Sequence, residues 1–125
     1  MEGVMQSRLV VLVVEDEPLL MMVAVEIIAE LGFEVIEAQH ADEAIAIMEK
    51  RSDVHVVFSD VHMPGSMDGL KLAHYVRRRW PPVKILTTSG KARFAVEELP
   101  SGGRFMPKPY TPAELGTALR EIIAA

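Results

Sequence analysis

Three carboxylates, two hydroxyls and one lysine stand at the ends of apolar runs in this chain. Glu15 and Asp16 follow Leu9–Val14, Asp60 follows Val54–Ser59, Thr88 and Ser89 close the run that begins at Val83, and Lys108 follows Arg104–Met106. If those runs are neighbouring strands, these side chains converge on one crevice. Three crowded carboxylates repel one another, and a hard divalent cation with oxygen ligands relieves the repulsion. Mg²⁺ suits such a set, because it needs few carboxylates and keeps positions open for water or a phosphate oxygen. A carboxylate beside that metal, an ammonium and a hydroxyl is equipped to accept a phosphoryl group.

Taken singly, each residue has an ordinary explanation. An Asp after a strand serves as a turn residue or helix cap, and Thr-Ser after a strand is turn chemistry. Acidic Glu15–Glu17 favours a helix N-terminus, and a lysine before Pro-Tyr is a surface charge. Their joint occurrence at successive strand ends is what carries the argument.

The elements that must position them follow from pattern. Leu9–Val14 is a continuous β-branched run, as in a strand buried on both faces of a parallel sheet. Pro18 opens a helix to about Leu31, with Gly32 placed as its terminator. Phe33–Ala38 alternates apolar and acidic residues, which suits a strand nearer the sheet edge. Helical spacing marks Ala41–Lys50 and Leu70–Arg79. Val54–Ser59, Val83–Thr88 and Arg104–Met106 read as further strands, and Ala92–Leu99 as a short helix. Thr111-Pro112-Ala113-Glu114 is a capping box with proline at the first helical position, starting a last helix. Strict strand–helix alternation implies an α/β fold with a parallel sheet and helices on both faces. In open sheets of this kind the working site lies at the carboxyl ends of the strands.

Composition sets the limits. The chain has 125 residues, half of them hydrophobic and a quarter charged, no cysteine, and a net charge of −5. That is one globular domain without disulfides or thiolate metal sites, with Met1–Ser7 as a loose tail before a domain at 8–125. The negative charge argues against broad attraction to nucleic acid or anionic membrane, and the apolar runs are too short to span a bilayer. A cytoplasmic protein is the plain expectation. The histidines lack i,i+4 pairing, so zinc is not expected. Arg77–Arg79 complement a helix C-terminus.

The segments VLVVEDEPLL, VVFSDVHMPGSMDG, ILTTSG and FMPKPYTPAEL resemble the signature segments of bacterial two-component response-regulator receiver domains, here of the stand-alone type. The resemblance runs from about Arg8 to the C-terminus. It implies a flavodoxin-like, doubly wound, five-stranded parallel sheet in order 2-1-3-4-5, a strand order that alternation alone does not give. It implies that Asp60 is phosphorylated, that Glu15 and Asp16 are the acidic metal pair, and that His62 contacts Mg²⁺ through its backbone carbonyl. Thr88 takes the switch-hydroxyl role beside Ser89, Lys108 binds the phosphate, and Phe105 is the aromatic that changes rotamer. The implied partner is a sensor histidine kinase or a histidine phosphotransfer protein, and output is by protein–protein contact. Such a protein is a phosphoacceptor that assists its own modification and reset rather than an enzyme. The alternatives are an aspartate-nucleophile phosphohydrolase and a pseudo-receiver scaffold. Two departures stand out. Gly65-Ser66 lengthens the loop after Asp60 by one residue, and Lys91–Gly103 leaves room only for a short or irregular fourth helix.

Overall fold

The computed structural model describes residues 8–61, 68–90 and 98–125. Five strands form one parallel sheet: β1 (Val10–Val14), β2 (Glu34–Ala38), β3 (Val54–Asp60), β4 (Lys84–Ser89) and β5 (Arg104–Pro107), in spatial order β2-β1-β3-β4-β5. The helices between and after them are α1 (Pro18–Glu30), α2 (Ala41–Lys50), α3 (Gly69–Arg79) and α4 (Pro112–Ala124). The expected strand order is the observed one, with the alternating strand β2 at one edge. The short helix expected over Ala92–Leu99 lies almost wholly outside the described residues, as do the Met1–Ser7 tail and the Gly65-Ser66 loop.

Each sheet face builds its own core. On one face Leu12, Val57 and Ile85 pack with Ala44 and Met48 of α2 and with Leu72 and Val76 of α3. On the other, Val13, Phe58 and Leu86 pack with Met21 and Ile28 of α1 and with Leu115 and Leu119 of α4. Burying one such side chain contributes about 1.5–3 kcal/mol, so the two cores, rather than helix propensity, hold the sandwich together. Successive strand residues point to opposite faces, and this parity later separates residues of the site.

Local chemistry sets the element ends. After α1, Gly32 adopts φ +100°, and its N–H donates to Ala29 O at 3.0 Å while that of Phe33 donates to Ile28 O at 3.4 Å. This is a Schellman termination, which a glycine permits without a Cβ clash. Helix α3 starts at Gly69, one residue before the apolar spacing suggests, because the Asp68 side chain accepts from the Lys71 N–H at 2.9 Å. Helix α4 carries the capping box: Thr111 and Glu114 each accept from the other's backbone N–H.

One irregularity escaped the sequence pattern. The register of β1 against β3 slips between Val10 and Val11, which face Val54 and Val56, leaving His55 as the extra residue of a bulge. His55 Nδ1 accepts the Val10 N–H at 2.9 Å, so an imidazole stands in for the missing strand carbonyl.

Candidate functional site

The carboxyl ends of β1, β3 and β5 bring three charged side chains into contact. Lys108 Nζ lies 2.6 Å from Asp60 Oδ2 and 3.5 Å from Glu15 Oε1. Glu15 and Asp60 are only 6% and 7% exposed. Burial pushes the Glu15 carboxyl up; a hydrogen bond from the Glu17 N–H and the Lys108 charge pull it back, and Asp60 adds to the rise. For Lys108, burial alone would lower the pKa, yet hydrogen bonding and attraction to Asp60, with Glu15 behind, outweigh it and raise the value. The ammonium is thus held charged between two carboxylates.

The backbone around Asp60 is fixed on both sides. The Val61 N–H donates to Thr88 O at 2.8 Å, and the Gly69 N–H donates to Val61 O at 2.8 Å. A Cβ on Gly69 would collide with the Asp60 carbonyl oxygen, so this glycine is required by close approach. Lys108 is placed by its own N–H, which donates to Ser89 O at 2.9 Å, and the following Lys108–Pro109 peptide is cis. Tyr110 packs edge-on against Phe58 below the site, centroids 5.9 Å apart, and burial raises its phenol pKa. Neither Gly69 nor Tyr110 stood out as part of the site in the sequence. Only the Asp68-Gly69 pair, a common turn signal, hinted at the first.

The two hydroxyls part company. Thr88 pairs in register with Asp60, and parity puts it on the face of Leu86, toward α1 and α4. It is 3% exposed, and its Oγ1 finds no hydrogen-bond partner among the described residues. Arg104 reaches Glu121 of α4 at 2.9 Å, so Phe105, its neighbour on β5, projects to the opposite face. Ser89, one residue beyond Thr88, shares the Phe105 face. Asp16 is exposed at the rim, and His62 lies outside the described residues.

No group of three Asp, Glu or His side chains gathers into a ready metal cage among the described residues. The reason is visible: Asp16 points to solvent, and Lys108 occupies the space between Glu15 and Asp60. The donor set nevertheless fits a cation that keeps most of its waters, since two largely buried carboxylates share one ammonium and remain one positive charge short of balance.

A model of the response regulator receiver domain matches residues 11–120. The chain belongs to that family. The receiver domain is 31% identical over 118 residues to a chemotaxis protein CheY homolog of Campylobacter jejuni, covering 90% of each chain. It is 38% identical over 117 residues to the sensor kinase CckA of Brucella abortus, covering 90% of this chain but only 12% of that kinase. Among solved structures, the receiver domain from the hybrid histidine kinase CckA superposes with a TM-score of 0.78 at 30% identity, covering 91% of this chain and 98% of that one. The Vibrio cholerae chemotaxis protein CheY4 superposes at 0.82 with 25% identity, covering 93% and 99%. Among the described residues no helix is long and apolar enough to cross a membrane.

Proposed function

We propose that residues 8–125 act as a phosphoacceptor unit in which Asp60 takes a phosphoryl group from a phosphohistidine of a sensor histidine kinase or histidine phosphotransfer protein. The observation that carries the reading is the Lys108–Asp60–Glu15 contact at the carboxyl ends of three parallel strands. In the transfer the donor's N–P bond breaks and a bond forms from phosphorus to an Asp60 carboxylate oxygen, leaving an acyl phosphate and a neutral imidazole once a proton is taken up. Glu15, Asp16, Asp60 and the backbone carbonyl of His62 are the groups to hold Mg²⁺, which when bound neutralises charge on the transferring oxygens. Lys108 is already hydrogen-bonded to the nucleophile, so its ammonium can follow the developing charge onto a phosphoryl oxygen with little movement.

The switch hydroxyl falls to Ser89 rather than Thr88. A phosphoryl oxygen draws in a hydroxyl through a charge-assisted hydrogen bond, and vacated space helps Phe105 only when both residues share a sheet face. Ser89 shares it; Thr88 does not. Thr88 keeps a second hydroxyl beside Asp60 on the acceptor face.

The donor has a surface to meet. Helix α1 exposes Leu19 (70%), Met22 (58%) and Val23 next to the acidic pair. Apolar side chains exposed in a cluster mark a protein contact more often than a solvated face.

Intact mass after incubation with acetyl phosphate and Mg²⁺ tests the assignment. One phosphoryl group should be added to the native chain and none to Asp60→Ala. A stable adduct on Asp60→Ala would move the acceptor elsewhere, and steady turnover of a phosphomonoester would favour a phosphohydrolase.

A further inference from the structure

The end of the sheet opposite Asp60 holds a second concavity. It has a volume of about 650 Å³ and lies between the last turns of α2 and α3 and the amino ends of β3 and β4. That size falls within the roughly 300–1,000 Å³ of small-molecule pockets. Its floor is apolar, with Leu9, Val83 and the ring of Trp80.

Its rim carries four cationic side chains in a chain whose net charge is −5. Lys50, Arg51, Arg79 and Lys84 stand there with Glu49 and Asp53, and Glu34 lies against Arg51. The two helix C-termini each add about half a negative charge, so the rim as a whole is near neutral and what it offers is the donors left uncommitted. The cations differ in how far they are committed. Arg51 is taken up by Asp53 at 2.6 Å and Glu34 at 3.3 Å. Arg79 makes one long contact to Glu49 at 3.4 Å and lies 5.1 Å over the Trp80 ring. Lys84 Nζ donates to the main-chain oxygen of Ala125 at 2.8 Å, and Lys50 has no ion pair among the described residues. Spare ammonium and guanidinium donors over an aromatic floor match a ligand with one anionic end and one apolar end.

We propose that this cleft binds a small amphipathic anion, a carboxylate, sulfonate or phosphate ester on an aromatic or branched apolar body. The site is separate from the phosphoacceptor, since β3 and β4 run from one to the other.

Trp80 is the single tryptophan of the chain, so its emission reports on this wall alone. The probe is 8-anilinonaphthalene-1-sulfonate, with uncharged N-phenyl-1-naphthylamine as the control. The sulfonate should quench Trp80 saturably, and the uncharged analogue only weakly. Lys50→Gln combined with Lys84→Gln should raise the half-saturation concentration about tenfold, the scale of two solvent-facing charge contacts. Circular dichroism checks that the variant keeps its fold. Asp60→Ala should bind as the native chain does. Unsaturable quenching, equal quenching by the uncharged analogue, or an unmoved half-saturation in the double variant would overturn the proposal. Loss of binding in Asp60→Ala would overturn it too, by placing the anion at the phosphoacceptor.

Discussion

Lys108 donates to Asp60 at 2.6 Å, the shortest contact in the site, and does so in a carboxylate crevice that a metal ion would also neutralise. An ammonium and a metal ion would therefore serve the same two carboxylates. Lys108→Ala should destabilise the metal-free protein by about 2 kcal/mol, because Asp60 and Glu15 are left buried and unbalanced. The rise in melting temperature on adding Mg²⁺ should then be larger in Lys108→Ala than in the native chain. Equal Mg²⁺ increments in the two proteins would show that they do not share ligands. Phosphorylation should be slow in the variant even so, for want of the ammonium at the phosphoryl group.

Glu15 predicts an opposite effect on stability. Its carboxyl pKa is raised in the folded state, chiefly by burial, so folding takes up protons as the group titrates. Its contribution is most favourable below the ordinary range of a free glutamate and declines as pH rises through the higher folded value. Glu15→Gln should therefore melt a few degrees higher than the native chain at neutral pH without metal, the difference fading in acid. The same variant should lose most of its Mg²⁺ response. Thermal melts at several pH values check both signs.

The two hydroxyls can be told apart. Thr88→Val removes a buried hydroxyl that has no partner among the described residues and replaces it with a group of similar shape, so the unphosphorylated protein should hold or gain stability. Ser89→Ala should still be phosphorylated, yet lose the change in amide exchange over Arg104–Lys108 on beryllofluoride binding. If Thr88→Val abolishes that response and Ser89→Ala keeps it, the assignment by sheet face is wrong.

Gly69→Ala places a methyl group against the Asp60 carbonyl oxygen. Overpacking at backbone rather than at a flexible side chain should cost roughly 3 kcal/mol and displace the nucleophile. Denaturant unfolding gives the first effect and the phosphorylation rate the second. A variant with native stability and native rate would mean that the turn after Asp60 yields.

His55→Ala removes the acceptor for the Val10 N–H. The expected cost is about 1 kcal/mol, or roughly 3–6 °C in melting temperature for a domain of this size. Phosphorylation of Asp60, at the other end of β3, should be unchanged. An unaltered melt would show that water replaces the imidazole.

What the sequence determined by itself is whatever depends on neighbours along the chain. Strand and helix alternation, the Gly32 termination, the Thr111 capping box and the placing of Glu15, Asp60 and Lys108 at strand ends all follow from periodicities of two and 3.6 and from local backbone chemistry. The tertiary structure decided what depends on register between distant segments. Lys108 meets Asp60 across 48 residues and Glu15 across 93, and no local signal states which oxygen it reaches. The bulge at His55 is visible only against β1, because a single histidine after Val54 leaves the run Val56–Phe58 intact and does not state the register. The division between Thr88 and Ser89 belongs here as well. Along the chain they are adjacent hydroxyls of equal merit, but a strand sends successive side chains to opposite faces. Only once β4 is fixed between β3 and β5 does one lie beside Asp60 and the other share a face with Phe105.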